Sequence, residues 1–191
     1  MITTTNELSA VNIMLGTIGE SPINSLASIS GVIDAVTARQ VLNEVAVAVQ
    51  TEGWAFNTED NWTFLPDSTG AITVPSNLLQ VDAIDPSRKV ALRGTRLYDL
   101  KAHSYTFTEG VTLNCVLMFE FDDLPQAARY YIAIRAARLF QTRVVGSDTL
   151  KAFTSEDETR ARVALKKYDA DTGGYNMLTG SYSVARTVRR F

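Results

Sequence analysis

The 191-residue chain has one cysteine, one histidine and five prolines. A lone Cys115 forms no internal disulfide, and with only His103 to join it no Cys/His zinc site can be assembled. No apolar run approaches the roughly 20 residues that span a bilayer. The opening stretch MITTTNELSA has neither a basic segment nor an apolar core, so no secretory signal is expected. The phosphate-cradling loop is missing too: GTIGESP has two glycines, but no preceding strand and no following Lys-Ser/Thr. These absences lead to the expectation of a chain folding in a reducing cytosol, with no metal, no cofactor and no membrane partner. One further absence is local. From Thr172 to the end there is no Asp or Glu, although the chain as a whole is acidic.

Hydrophobic residues make up 46% and charged residues 20%, enough apolar material for one domain of ordinary size or two small lobes. The net charge is −3 from 18 basic and 21 acidic side chains. Residues 172–191 hold three arginines, so the rest carries 15 basic against 21 acidic groups, or −6. Such a body argues against general nucleic-acid binding, which runs on basic surface that displaces counterions.

Helical patterns open the chain. Asn6 or Thr5 can cap a helix through ELSAVNIMLGTIG, with Leu8, Val11, Asn12 and Leu15 on one face. A loop at ESPINSL follows, and a second helix is expected over residues 34–50, where Ala35, Ala38, Leu42, Val45 and Val49 form a narrow stripe. Gly53 should end it. Between Trp54 and Phe121, prolines and glycines separate short β-type runs: WTF, AITV, LLQVDAI, KVALR, RLYDL, SYTF and VTLNCVLMFEF. That spacing predicts an antiparallel sheet or small barrel-like lobe, with the last and most apolar run as its central strand.

Helices return after Pro125, a residue suited to a first turn. Ala128, Tyr131, Ile132, Ala136, Leu139 and Phe140 share one face of the third helix, while Arg129, Arg135, Arg138 and Arg143 lie mostly opposite. A fourth helix is expected from about 149 to 169, capped by Ser147 or Asp148, with Leu150, Phe153, Ala161, Ala164, Leu165 and Tyr168 inward. The predicted class is therefore α+β: a bundle of about four helices (residues 1–53 and 125–171), an inserted antiparallel β-lobe (54–124) and an extended C-terminal arm (172–191).

Candidate catalytic groups all have a plainer role at hand. His103 sits in a polar turn with no nucleophile implied nearby. Cys115 falls within an apolar strand, where it packs as a small hydrophobe. Asp122 and Asp123, and likewise Glu156, Asp157 and Glu158, stand where a helix N-terminus stabilises negative charge. The arginine face of the third helix can meet an acidic partner or pair with Glu156 and Glu158. Residues 172–191 present a different problem, because ordering twenty residues costs on the order of 20–40 kcal/mol. Tyr175, Asn176, Met177, Leu178, Tyr182, Arg186, Arg189, Arg190 and Phe191 would order on another protein's surface, apolar groups packing and arginines meeting carboxylates.

Three stretches carry a resemblance: ELSAVNIMLGTIGESPINSL, EGWAFN at 52–57 and YDADTGGYNML at 168–178. Together they resemble the tail tubular protein A family, the head-to-tail adaptors of short-tailed bacteriophages (podoviruses). The resemblance implies a non-enzymatic virion protein, forming a dodecameric ring between the portal protein and the nozzle protein (tail tubular protein B). It implies that the helical part packs against the portal and neighbouring adaptor subunits; the basic face read above, Arg129, Arg135, Arg138 and Arg143, is the expected set of partner contacts on that part. The arm residues Tyr175 to Phe191 would dock on the portal, the β-lobe would face the nozzle and tail fibre, and the bore would continue the DNA-ejection channel without holding the duplex. Two other readings remain open on residues alone. A carbohydrate hydrolase acting on host-surface polysaccharide would need paired acids such as Asp82, Asp85 or Asp99 facing a cleft. A DNA-binding accessory protein would use Arg129, Arg135, Arg138 and the terminal arginines.

Overall fold

The computed structural model describes residues 4–27, 29–146, 153 and 155–173. The chain is α+β, with four α-helices and two antiparallel sheets among the described residues. It divides into two compact units, residues 1–42 with 125–191 and residues 43–124, and the division falls inside the second helix.

In the first unit, α1 (Glu7–Thr17) starts at Asn6, whose side chain accepts from the Ser9 N–H at 2.8 Å while the Asn6 N–H donates to Ser9 Oγ at 2.8 Å. That reciprocal box satisfies two donors the helix would otherwise leave open. The buried face is Ala10, Val11, Met14 and Leu15. It is rotated from the expected one: Leu8 is half-buried, and Asn12 clamps the loop by gripping both backbone groups of Ile23 (3.0 and 2.8 Å). α2 (Ile33–Gln50) contributes Ala35, Ala38 and Leu42 to the core of this unit. Arg39 of α2 pairs with Glu7 of α1 at 2.7 Å.

α3 (Gln126–Val144) is the helix on which α1 and the last helix rest. It contacts both α1 and α4 (Ser155–Thr172). Gln126 bonds Thr5 at one end, and Gln141 donates to the Thr17 carbonyl at the other (3.0 Å), so α1 and α3 run parallel. Its apolar surface is wider than one stripe, because Ala133, Ile134 and Ala137 are buried beside Ala128, Tyr131, Ile132, Ala136 and Phe140, whereas Leu139 is half-buried. Four small alanines on that surface let neighbouring helices approach closely.

α4 corrects the expectation most. It begins at Ser155, not near 149, and runs to Thr172. Its buried face is only Ala161 and Leu165; Ala164 and Tyr168 are exposed. Ser147, Asp148 and Leu150 lie outside the described residues, as does the expected arm from residue 174 onward. α3 is preceded by a 3₁₀ turn (Phe121–Asp123), in which Asp122 and Asp123 stand as the acidic residues, and starts after Pro125.

The second unit is built on β5 (Val111–Leu117), the central strand of a three-stranded sheet ordered β1-β5-β2. β1 (Thr58–Phe64) and β2 (Leu78–Ala83) pair antiparallel to it, one on each side. Val111, Leu113, Cys115 and Leu117 alternate inward, as the two-residue period of a strand requires. They meet Phe64, Ile72, Val74, Leu97 and Phe107 in one apolar cluster. β3 (Val90–Arg93) and β4 (Arg96–Asp99) form a second sheet, a hairpin turned by Gly94 and Thr95. The runs AITV and SYTF do not become strands. They make isolated bridges, Ala71 to Thr106, Thr73 to Arg96 and Ser104 to Asp99, because tight turns bound both. In one, Asp67 accepts from Thr69 and Ala71 backbone N–H groups; in the other, Asp99 accepts from Lys101 and Ala102.

The apolar run after β5 leaves the sheet at Met118. Gln50, the fully buried last residue of α2, takes both backbone groups of Phe119 (3.0 and 2.8 Å). Asn57, 1% exposed, donates to the carbonyls of Gln50 (2.9 Å) and Leu117 (2.8 Å) and accepts from the Trp54 N–H (2.8 Å). The Trp54 indole donates to the Val49 carbonyl at 2.7 Å. The Val49 and Gln50 carbonyls at the end of α2, short of partners in any helix, thereby gain side-chain donors beside the Glu52 and Gly53 N–H groups.

Two predictions follow from this packing. Asn57→Ala removes the acceptor of the Trp54 N–H and one donor each from the Gln50 and Leu117 carbonyls and should cost about 1–3 kcal/mol, read as a lower urea midpoint with an unchanged slope. Gly70 has φ +82°, and an added Cβ would lie 2.6 Å from Thr106 Cγ2, while Gly94 (φ +63°) has open space around it. Gly94→Ala should therefore cost only the backbone penalty of about 1–2 kcal/mol, and Gly70→Ala measurably more in the same titration.

Candidate functional site

The four arginines expected on one solvated face of α3 do not share one environment. Arg135 and Arg138 both reach Glu158 of α4, Arg135 with Nε at 3.8 Å from Oε1 and Arg138 through a direct Nη1–Oε2 contact. The fully buried Tyr131 ring places its hydroxyl between Arg135 (3.3 Å) and Arg162 (3.0 Å), each guanidinium donating to the phenol oxygen. These contacts pin α4 antiparallel to α3. Glu158 also sits in the first turn of α4, where its charge is favoured by the helix N-terminus. Arg129 is half-buried with its Nε bonded to nothing among the described residues, and Arg143 is exposed near the end of the helix. Glu156 pairs with Arg160 on its own helix (2.5 Å) and not with α3.

Shallow recesses of about 250 and 300 Å³ flank the Arg138–Glu158 pair. Each is lined by cationic side chains and that single carboxylate. Partly exposed ion pairs of this kind contribute about 0–1 kcal/mol apiece, so the arrangement favours helix register over stability.

The carboxylates required by a hydrolase reading do not converge. A cleft of about 370 Å³ across the three-stranded sheet is lined by Thr58, Gln80, Asp82, Leu92 and Asn114 among others, with Asp82 its one acid. Asp85 lines a separate cleft with Arg88. Asp99 is engaged in its turn. Hydrogen bonds from Ser87 hold the Asp85 carboxyl below the usual range, and backbone N–H groups, chiefly that of Ala102, do the same for Asp99. A general acid needs the opposite shift. His103 is exposed in the turn after β4 with φ +52°, and Cys115 is fully buried, its thiol pushed up by burial. Among the described residues no cluster of three or more His, Cys, Asp or Glu is placed to hold a metal ion.

Tyr175, Asn176, Met177, Leu178, Tyr182, Arg186, Arg189, Arg190 and Phe191 lie outside the described residues. One constellation escaped the sequence reading. At the β3–β4 hairpin the Arg93 guanidinium lies 3.6 Å from the centroid of Tyr98, and Arg96 lies 4.6 Å from that of Tyr105. The two rings meet edge to face at 4.8 Å and 66°. Hydrogen bonding to Tyr105 stabilises the charged form of Arg93 further. The signal available was R-G-T-R, two arginines bracketing a two-residue turn, with a tyrosine two residues beyond it. Tyr105 arrives only through the bridges of the 104–107 segment, which no local pattern reveals.

No enzyme-like centre is assembled by these groups; what the described surface offers is charged and aromatic contact area. The chain is 27% identical over 185 residues to the tail tubular protein A of Klebsiella phage KP34, an alignment covering 96% of each chain. The family model for the tail tubular protein matches residues 8–175, from the first turn of α1 to beyond the end of α4. The chain therefore belongs to the tail tubular protein family of bacteriophage tails.

Proposed function

We propose that this protein is the head-to-tail adaptor of a short-tailed phage, forming a ring of twelve copies between portal and nozzle. The carrying observation is the family match across residues 8–175. Family membership makes the chain a structural component of the virion tail that assembles with other tail components. The finer reading adds specific partners. The helical unit packs against the portal and adjacent adaptor subunits, and residues 175–191 strap onto the portal. The β-unit meets the nozzle and helps anchor the tail fibre, and the bore continues the path along which genomic DNA leaves.

Physical chemistry supports that reading at three points. A −6 body lining or flanking a conduit repels the duplex and limits sticking. Residues 172–191, with three arginines and no acid, match a strap for a carboxylate-bearing surface. The helical unit keeps large apolar groups in solvent, Ile33 at 80% and Val163 at 60% exposed, as an assembling subunit does. The hydrolase reading is not supported, since Asp82, Asp85 and Asp99 occupy three separate settings.

Deleting residues 179–191 should leave the far-UV circular dichroism and thermal midpoint of the chain unchanged while lowering co-sedimentation with purified portal at least tenfold. Retained portal binding would remove the strap from the mechanism. The full chain at about 5 μM should sediment as small species alone and shift to a ring-sized complex once portal is added. A stable twelve-mer without portal would contradict templated assembly.

A further inference from the structure

The charge of the second unit is segregated. Residues 43–124 contain twelve acidic and five basic side chains, and all five basic ones (Arg88, Lys89, Arg93, Arg96, Lys101) fall within residues 88–101, the β3–β4 hairpin and its ends. Asp99 is the single acid there, which makes this segment +4 and the remainder of the unit −11. Arg88 is spent on Asp85 and Glu109, and the Lys101 ammonium donates to the Ser87 carbonyl. Arg93 and Arg96 are exposed and, among the described residues, have no carboxylate within ion-pair distance. Their guanidiniums are held on the faces of Tyr98 and Tyr105. Stacking fixes the planes, and Arg93 also hydrogen-bonds Tyr105, so part of the ordering entropy of two long side chains is already met before a ligand arrives.

A complementary surface stands on the same unit. β1 is an edge strand, separated from β2 by β5, whereas β3 contacts β2. The hairpin, through Ala91 and Leu92, and β1, through Thr58, line one cleft of the unit. β1 presents Glu59 and Asp60, both exposed and without a basic partner among the described residues, next to Trp62, which is 38% exposed. Two carboxylates and an indole are the groups that two guanidiniums recognise, by charge-assisted hydrogen bonds and by stacking.

We propose that the Arg93–Arg96 hairpin of one subunit docks on the Glu59–Asp60–Trp62 edge of a second copy of this chain. Donor and acceptor patches are unlike surfaces, so the contact pairs dissimilar patches and can repeat from copy to copy. It deepens the ring reading above and rests on it only for closure and copy number. A hairpin tip covers less than the roughly 1,200 Å² of a standard stable interface, so the contact is weak singly. It gains effect once neighbours are held together by a template.

The test is sedimentation equilibrium of the full chain at up to about 200 μM in 50 mM and 500 mM salt. Concentration-dependent association that weakens at the higher salt is expected. Arg93→Glu with Arg96→Glu should weaken association at least tenfold, and Glu59→Lys with Asp60→Lys should do the same. Mixing the two double variants should restore it, because only their dissimilar faces are then complementary. Unchanged thermal midpoints show that these exposed replacements leave the fold intact; should either charge reversal unfold the chain, Arg93→Gln with Arg96→Gln and Glu59→Gln with Asp60→Gln replace them. Association that survives either variant overturns the proposal, as does a mixture that fails to recover. Duplex DNA retarded at 150 mM salt by the wild-type chain and not by the Arg93→Glu, Arg96→Glu variant would assign the hairpin to nucleic acid and also overturn it. Portal-driven ring formation by a charge-reversed variant would overturn this contact while leaving the adaptor reading standing.

Discussion

The side-chain amide of Asn57 satisfies three backbone groups from three parts of the second unit: the Gln50 carbonyl ending α2, the Leu117 carbonyl ending β5, and the Trp54 N–H in the turn between α2 and β1. The Trp54 N–H has no other acceptor among the described residues, and a buried polar group left unpaired costs about 1–3 kcal/mol. One residue therefore decides where the helix stops, where the central strand stops and how β1 begins. Gln50 repeats the device on Phe119, in the chain leaving β5. Everything the β-unit presents to solvent, including the β1 edge and the hairpin beyond β2, inherits its place from that polar knot inside an apolar core. Such a network is effective only when complete, and here every amide atom of both side chains has a partner.

Periodicity made the helices and the central strand legible. The 34–50 stripe corresponds to α2, and Ala35, Ala38, Leu42, Val45 and Val49 are all buried. VTLNCVL is the middle strand of its sheet. Errors arose where a side chain competed with a pattern. Asn12 looked like part of an apolar face and instead holds a loop, so the α1 face turned toward Ala10 and Met14. AITV and SYTF have strand composition, but the turns at Asp67 and Asp99 leave each only enough length for single bridges. The run after Leu117 reads as continuous strand because nothing local announces that Gln50, 69 residues earlier in the chain, will capture Phe119.

The site was less legible than the fold, for a physical reason. Catalytic centres concentrate chemistry in a few residue types at defined spacing, whereas a structural tail protein distributes its function over surfaces. The α3 arginines were visible as a stripe, yet their division was not. Arg135 and Arg138 lock α4 through Glu158, a tertiary pairing in which Glu156, two residues earlier, takes no part. The Tyr98–Tyr105 platform joins residues brought together by a bridge from Asp99 to Ser104. Resemblance carried the functional reading further than any motif, because it samples many dispersed positions at once.

The acidic β1 edge also bears on what kind of assembly this chain can form. A bare edge strand invites pairing with a copy of itself, and proteins block that with charge and with bulges that twist the edge away. β1 has both: Glu59 and Asp60 face solvent, and its register breaks between Glu59 and Trp62, with Asn61 at φ +58°. Two β1 edges brought together would oppose four carboxylates, so the symmetric dimer is disfavoured by the very groups that attract a basic hairpin. Two hairpins meeting tip to tip would oppose four guanidiniums. Both like-with-like contacts are repelled and the dissimilar one is attracted, so the charge pattern favours contacts between unlike patches. Head-to-tail contacts close into rings when the rotation between copies permits, and the number of copies is then set by geometry that a template can impose.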